Sequence, residues 1–123
     1  MSTETAPGAG PADTEEMTVR EAIRLAMREE LERDDDVFVV GEDVGEFGGV
    51  FEVTSGLVDE FGEERIRDTP ISEAGFMGAA IGAAATGSRP VVEIMFADFL
   101  GVCSEQVINQ MAKNRYMFGG KTE

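Results

Sequence analysis

The chain of 123 residues has no histidine, one cysteine, and only 10 basic residues against 25 acidic ones. Without histidine, imidazole catalysis and His-bearing metal sites are excluded from this stretch. The lone Cys103 cannot close a disulfide within the chain. No basic segment leads into an apolar one near the N-terminus, so no signal peptide is read. These two absences give the expectation of a cytoplasmic protein without disulfides. No apolar run reaches the ~20 residues of a membrane span. The formal net charge of -15 repels nucleic acid and anionic membrane, so neither is expected as a partner.

What is present suffices for one small domain: 42% of the residues are hydrophobic. Acids are spread along the chain and Arg outnumbers Lys. That pattern leads to the expectation of a salt-rich cytoplasm, where screening relieves self-repulsion. Residues 1–16 are small, polar and acidic, with Pro7 and Pro11. They are expected to form a disordered acidic tail, because they offer no core. Residues 17–123 carry the domain, and no internal repeat is present.

Thr18 and Glu21 form a capping box. Val19, Ala22, Ile23, Ala26 and Met27 then recur at helical spacing, predicting a helix that ends near Arg33. Asp34-Asp35-Asp36 reads as a solvated turn; without other ligands it is a weak metal site. The run Val37 to Val40 predicts a strand covered on both faces. The acidic, Gly-rich stretch Gly41 to Gly49 follows it. This stretch lacks the G-x-G-x-x-G order, and its acids would repel a pyrophosphate, so a dinucleotide loop is rejected. A loop at the carboxyl end of a parallel strand is the better reading, because open sheets bind ligands there. Ser55 is read as the cap of a short helix from Leu57 to Phe61, stopped by Gly62. Arg65-Ile66-Arg67 reads as a short strand or an extended lead-in.

The central stretch is Arg67-Asp68-Thr69-Pro70-Ile71-Ser72-Glu73, with a run of small residues from Met77 to Gly87 behind it. Pro70 keeps Thr69 extended, and Thr69 or Ser72 can cap the helix that follows. Glu73 has two readings. It is either a first-turn acid favoured by the helix dipole, or a sheltered acid whose proton affinity burial raises. Ala74, Gly78 and Gly82 share one helix face, with Gly75, Ala79 and Ala83 beside them. Glycine in a helix costs about 1 kcal/mol relative to Ala, a cost carried where another backbone comes close. That neighbour is either the domain's own sheet or another subunit. Pro90 to Met95 predicts a further buried strand with proline at its first position. Met95, Phe96 and Phe99 follow at its end, as core or as a clamp for a flat ring. Leu100 to Met117 reads as a helix with Val102, Val107, Ile108 and Met111 on one side, closed by Gly119-Gly120. Cys103 reads as a small core residue of that helix. The chain stops at Glu123, where the alternating pattern calls for another strand, so a truncated domain is expected.

The segment "RIRDTPISEAGFMGAAIGAAATGSRPVVEIMFADF" resembles the beta subunit of the thiamine-diphosphate-dependent 2-oxo acid dehydrogenases. These are the first components of the pyruvate and branched-chain complexes, together with acetoin dehydrogenase. The resemblance runs from Met17 to about Gly120 and includes "MTVREAIRLAMREELERDDDVFVVGEDVG" and "SEQVINQMAKNRYMFGG". It implies an α/β fold, the parallel-sheet transketolase-like pyrimidine-binding domain, here only in part. It implies that Glu73 hydrogen-bonds a ring nitrogen of thiamine diphosphate and serves as the catalytic acid. It further implies that Met95 and Phe99 line the aminopyrimidine pocket and that Glu42 lies in the active-site region. The implied partners are an alpha subunit, which holds the diphosphate and magnesium in an α2β2 heterotetramer, and a lipoyl acyltransferase. The family's monovalent-cation site and substrate-side histidine would lie past Glu123, so this stretch alone is expected to be inactive.

Two rival readings stand beside this one. A non-catalytic acidic module, serving assembly only, would need no role for Glu73. Another transketolase-like thiamine enzyme would share the fold, although "GEDVG" and "YMFGG" favour the dehydrogenase group.

Overall fold

The computed structural model describes residues 16–122. The expected acidic tail therefore lies, but for Glu16, outside the described residues. Helix α1, Val19–Arg33, begins as the capping box requires. The Thr18 hydroxyl accepts the Glu21 N–H at 3.3 Å, and the Glu21 carboxylate accepts the Thr18 N–H at 2.7 Å. The Thr18 hydroxyl, donating at 2.7 Å, and the Thr18 N–H together hold the Glu21 carboxyl below its usual range. The chain turns at Asp34 and enters β1, Val37–Gly41.

β1 is the centre of a three-stranded parallel sheet, with β2 (Ile66–Asp68) on one side and β3 (Arg89–Val92) on the other. All five of its residues are buried, as expected of a strand covered on both faces. Alternation along the strand divides the core in two. Val37 and Val39 pack with Leu31, Val44, Leu57 and Ile66, under α1 and the short helix α2, Leu57–Phe61. Phe38 and Val40 pack with Phe76 and Ala80 of α3, Glu73–Ala85. Each such aliphatic side chain contributes about 1.5–3 kcal/mol when fully buried. The Arg65 guanidinium closes the bottom of the sheet by donating to the carbonyls of Val37, Leu31 and Asp34.

Several local expectations are corrected. In α1 the apolar face from Val19 to Met27 is not buried: Val19 is 78% exposed, and only Met27 and Leu31 pack on the sheet. The N-terminal half of the helix overhangs the three strands. It is tethered instead through Arg20 to Glu52 and through Arg24 to the Glu52 and Val53 carbonyls. Ser55 does not cap α2; the left-handed Gly56 occupies that position (φ 82°), and the Leu57 N–H goes to the Thr54 carbonyl. Ser72 is the residue before α3, but its hydroxyl donates to the Pro70 carbonyl and caps nothing. The Thr69 hydroxyl is buried without a partner.

β3 is shorter than predicted and is not buried: exposure alternates along it, because Val92 packs towards α3 while Val91 on the opposite face stays exposed. Pro90 is its second residue, not its first. Arg89 and Glu93 donate their N–H groups to Asp36 and Val40 of the β1 side. Pro90, out of phase with them, faces the open edge where no donor is needed. The segment read as one helix from Leu100 is broken. Ala97–Gly101 is a 3-10 turn, Gln106–Met111 is widened to π geometry, and only α4, Ala112–Met117, is regular. The Glu105 carboxylate accepts both the Asn109 and Gln110 amides, at 2.9 and 2.7 Å, across the widened turn. Val102, Ile108 and Met111 are exposed, and Cys103 is fully buried in the turn before the helix. α3 packs on its own sheet, but through Phe76, Met77 and Ala80 rather than its glycines. A methyl carbon placed on Gly82 would meet nothing within 4 Å.

Candidate active site

Because the three strands are parallel, their carboxyl ends meet at one edge of the sheet. Each strand delivers candidate residues there. β1 runs straight into Glu42, β2 leads through Thr69 and Pro70 to Glu73, and β3 leads to Met95 and Phe99. An open α/β sheet leaves its crevice at such an edge, with the central strand flanked by two loops.

Glu42 is buried, with 9% of its surface exposed, and its Oε1 has no hydrogen-bond partner. A buried carboxyl oxygen without a partner is costly, and a ligand or solvent donor aimed at it would relieve that cost. Glu73 opens α3 and is half-buried, flanked by exposed Ile71 and Ser72. Met95 is half-buried. Phe99 is 36% exposed and belongs to an aromatic row: Phe51–Phe96 centroids lie 5.7 Å apart and Phe96–Phe99 centroids 5.5 Å apart, both edge-on.

The loop after β1 is held at several points. Thr69 donates its N–H to the Gly41 carbonyl at 2.9 Å, and the Asp68 carboxylate accepts the Gly45 N–H at 2.7 Å. Fully buried Thr54 donates its hydroxyl to the Val44 carbonyl at 2.7 Å. Asp43 sits in the left-handed region (φ 56°), a conformation that costs a non-glycine residue about 1–2 kcal/mol and that these ties maintain.

Sequence reasoning missed three members of this edge: Phe51, Asp68 and Glu93. Glu93 follows β3, and its carboxylate lies against Gly49, so that a Cβ there would come within 2.9 Å of Oε1. Burial pushes its carboxyl above the usual range. Its signal was available: a single acid inside the apolar run Val91-Val92-Glu93-Ile94-Met95. Asp68 and Phe51 carried none, because their roles depend on loops distant in sequence.

Two hollows among the described residues flank the sheet, the second reaching this edge at Gly45 and Asp68. One, of 470 Å³, is apolar and lies between α3, β3 and α4, lined by Met77, Ile81, Pro90 and Met111. The other is polar and runs along Glu46, Asp59, Glu63 and Asp68. Neither is lined by Glu42, Glu73, Met95 or Phe99. No helix of the described residues is long and apolar enough to cross a membrane.

Comparison with known proteins agrees with this architecture. Residues 15–120 match the family model "Transketolase, pyrimidine binding domain". The chain is 54% identical over 117 residues to the beta subunit of acetoin:2,6-dichlorophenolindophenol oxidoreductase of Bacillus subtilis, covering 85% of this chain and 33% of that protein. It is 51% identical over 109 residues to the mitochondrial pyruvate dehydrogenase E1 component subunit beta of Saccharomyces cerevisiae, covering 89% and 30%. It is 54% identical over 100 residues to the 2-oxoisovalerate dehydrogenase subunit beta of Bacillus subtilis, covering 81% and 31%. The chain thus spans about a third of the length of these relatives. A parallel sheet with helices on both faces, matched along nearly its whole length, makes this chain a member of the transketolase pyrimidine-binding domain family.

Proposed function

We propose that the chain is the pyrimidine-binding part of the beta subunit of a 2-oxo acid dehydrogenase first component. In this reading it takes part in oxidative decarboxylation of pyruvate or a branched-chain 2-oxo acid, with acyl transfer to a lipoyl group. The observation that supports the reading is that the parallel strands send the loops bearing Glu42, Glu73, Met95 and Phe99 out of the same edge of the sheet, with an unpartnered buried carboxyl oxygen on Glu42. Acid groups beside an apolar and aromatic surface suit a flat, nitrogen-bearing ring, and in that sense these residues fit thiamine diphosphate.

When bound, thiamine diphosphate would supply the carbanion chemistry that side chains lack. Glu73 would exchange a hydrogen bond and a proton with a ring nitrogen of the aminopyrimidine. Met95 and Phe99 would present the apolar wall that orients the ring and excludes water. Glu42 would offer its free oxygen to the same region. An alpha subunit, in an α2β2 assembly, would hold the diphosphate and magnesium, and a lipoyl acyltransferase would accept the product. Acetoin as substrate is the second reading, favoured by the 54% identity to the acetoin enzyme's beta subunit.

Glu73→Gln in the full-length, reconstituted enzyme is expected to lose most activity while remaining folded, since positioned acids and bases contribute about 10²–10⁴-fold. Near-normal turnover would refute the assignment. The same reading places the protein in the cytoplasm of a salt-accumulating cell, supported by the net charge of -15 and by free, buried Cys103. Its melting temperature should therefore rise with potassium chloride up to molar levels; a flat or falling curve would remove the halophilic part.

A further inference from the structure

Two backbone segments carry the candidate acids: residues 41–45 hold Glu42, and residues 68–73 hold Glu73. They are joined at two places, both near the ends of β1 and β2. The Thr69 N–H donates to the Gly41 carbonyl at 2.9 Å, as a continuation of the strand pairing. The second joint is made by a side chain: Asp68 Oδ1 accepts the Gly45 N–H at 2.7 Å. The fit is close, since a methyl carbon on Gly45 would lie 2.6 Å from Asp68 Oδ2 and 3.1 Å from its Cγ. Glu42 sits between the two joints. Its buried oxygen makes no hydrogen bond of its own, so its position depends on the backbone on either side.

We infer that Asp68 is a positioning residue that sets the distance and register between the Glu42 and Glu73 segments by holding the Gly45 amide. The inference rests on the functional reading above and adds a residue to it. Asp68 does not touch the reacting atoms; it acts through the loop. A hydrogen bond to a charged acceptor is stronger than a neutral one, and the loop's other ties, Thr54 to Val44 and Gly49 to Asp43, do not reach the Glu73 segment.

The test uses the assembled enzyme, with the full-length beta subunit carrying Asp68→Ala, Asp68→Asn or Gly45→Ala. Asp68→Ala is expected to lower kcat about tenfold or more while KM for the 2-oxo acid stays within about twofold. Asp68→Asn keeps an acceptor oxygen and should restore most of kcat. Hydrogen exchange of the 41–49 segment should speed up about tenfold or more in Asp68→Ala and stay near wild type in Asp68→Asn. Gly45→Ala keeps the Asp68 residue, but its methyl group would overlap the carboxylate and push it off the amide. It should behave like Asp68→Ala, and it replaces that variant if Asp68→Ala does not assemble. Wild-type exchange and kcat in both Asp68→Ala and Gly45→Ala would overturn the inference. So would an Asp68→Asn variant as impaired as Asp68→Ala, which would assign the effect to charge. Glu73→Gln, measured alongside, separates the two levels. An active Glu73→Gln sinks the functional reading, whereas an inactive one beside a fully active Asp68→Ala sinks only the role of Asp68.

Discussion

Thr54→Val tests the physical account of the loop after β1. Thr54 is fully buried, its hydroxyl donates to the Val44 carbonyl at 2.7 Å, and its N–H donates to the Gly48 carbonyl at 3.0 Å. Valine keeps the shape and removes the hydroxyl, so the buried Val44 carbonyl loses that donor. Leaving such a group unsatisfied costs about 1–3 kcal/mol. If the loss falls on local opening, amides of residues 44–49 should exchange about 5- to 150-fold faster, at 1.4 kcal/mol per factor of ten. Thr54→Ser is the control: it keeps the hydroxyl and loses a methyl group, about 0.8 kcal/mol of burial plus a small cavity term. Native-state hydrogen exchange of the assembled enzyme reads both variants. Valine should exceed serine at the Gly48 and Gly49 amides. Equal protection in Thr54→Val and wild type, or a larger effect from serine, would refute the reasoning.

Glu93 gives a pH prediction. Its carboxyl is raised by burial, so the folded state holds this proton more tightly than the unfolded state. The associated stability is present at acid pH and is lost as pH rises through the raised value. Glu93→Gln should flatten that fall, so the difference in melting temperature between variant and wild type should grow in the variant's favour from about pH 4, where an ordinary Glu titrates, towards neutrality. A difference independent of pH would count against it. Arg65→Lys should cost about 1.5–3 kcal/mol, because a lysine cannot reach the Val37, Leu31 and Asp34 carbonyls together. A urea midpoint unchanged from wild type would show that this fork is dispensable.

Local rules were most legible where neighbours in sequence are neighbours in space. The capping box at Thr18, the end of α1 at Arg33, the apolar strand from Val37 and the helix from Leu57 to Phe61 all follow from contacts within a few residues. The candidate acids were legible for a related reason. Glu73 heads a segment of Gly and Ala, and Glu42 follows a strand directly, so each stands out against its own surroundings. Burial was less legible. Val19 and Ile23 have the spacing of a packed face, but a three-stranded sheet is too narrow to reach them. The same spacing misled at Val102, in the turn before the helix, and at Ile108 and Met111 in its π-widened part, all of which are exposed.

Composition and periodicity by themselves determined an acidic chain of alternating helices and strands, with α1, β1 and α2 in place, and singled out Glu42 and Glu73; the parallel α/β sheet came as what the family resemblance implied. Only the tertiary structure decided which distant groups meet: Asp68 on Gly45, Thr54 on Val44, Glu93 against Gly49 and Phe51 beside Phe96. The physical reason is range. Capping and alternation act over two to four residues, whereas these contacts join loops 10 to 45 residues apart, as the numbering shows, and no local pattern encodes which loop will close on which.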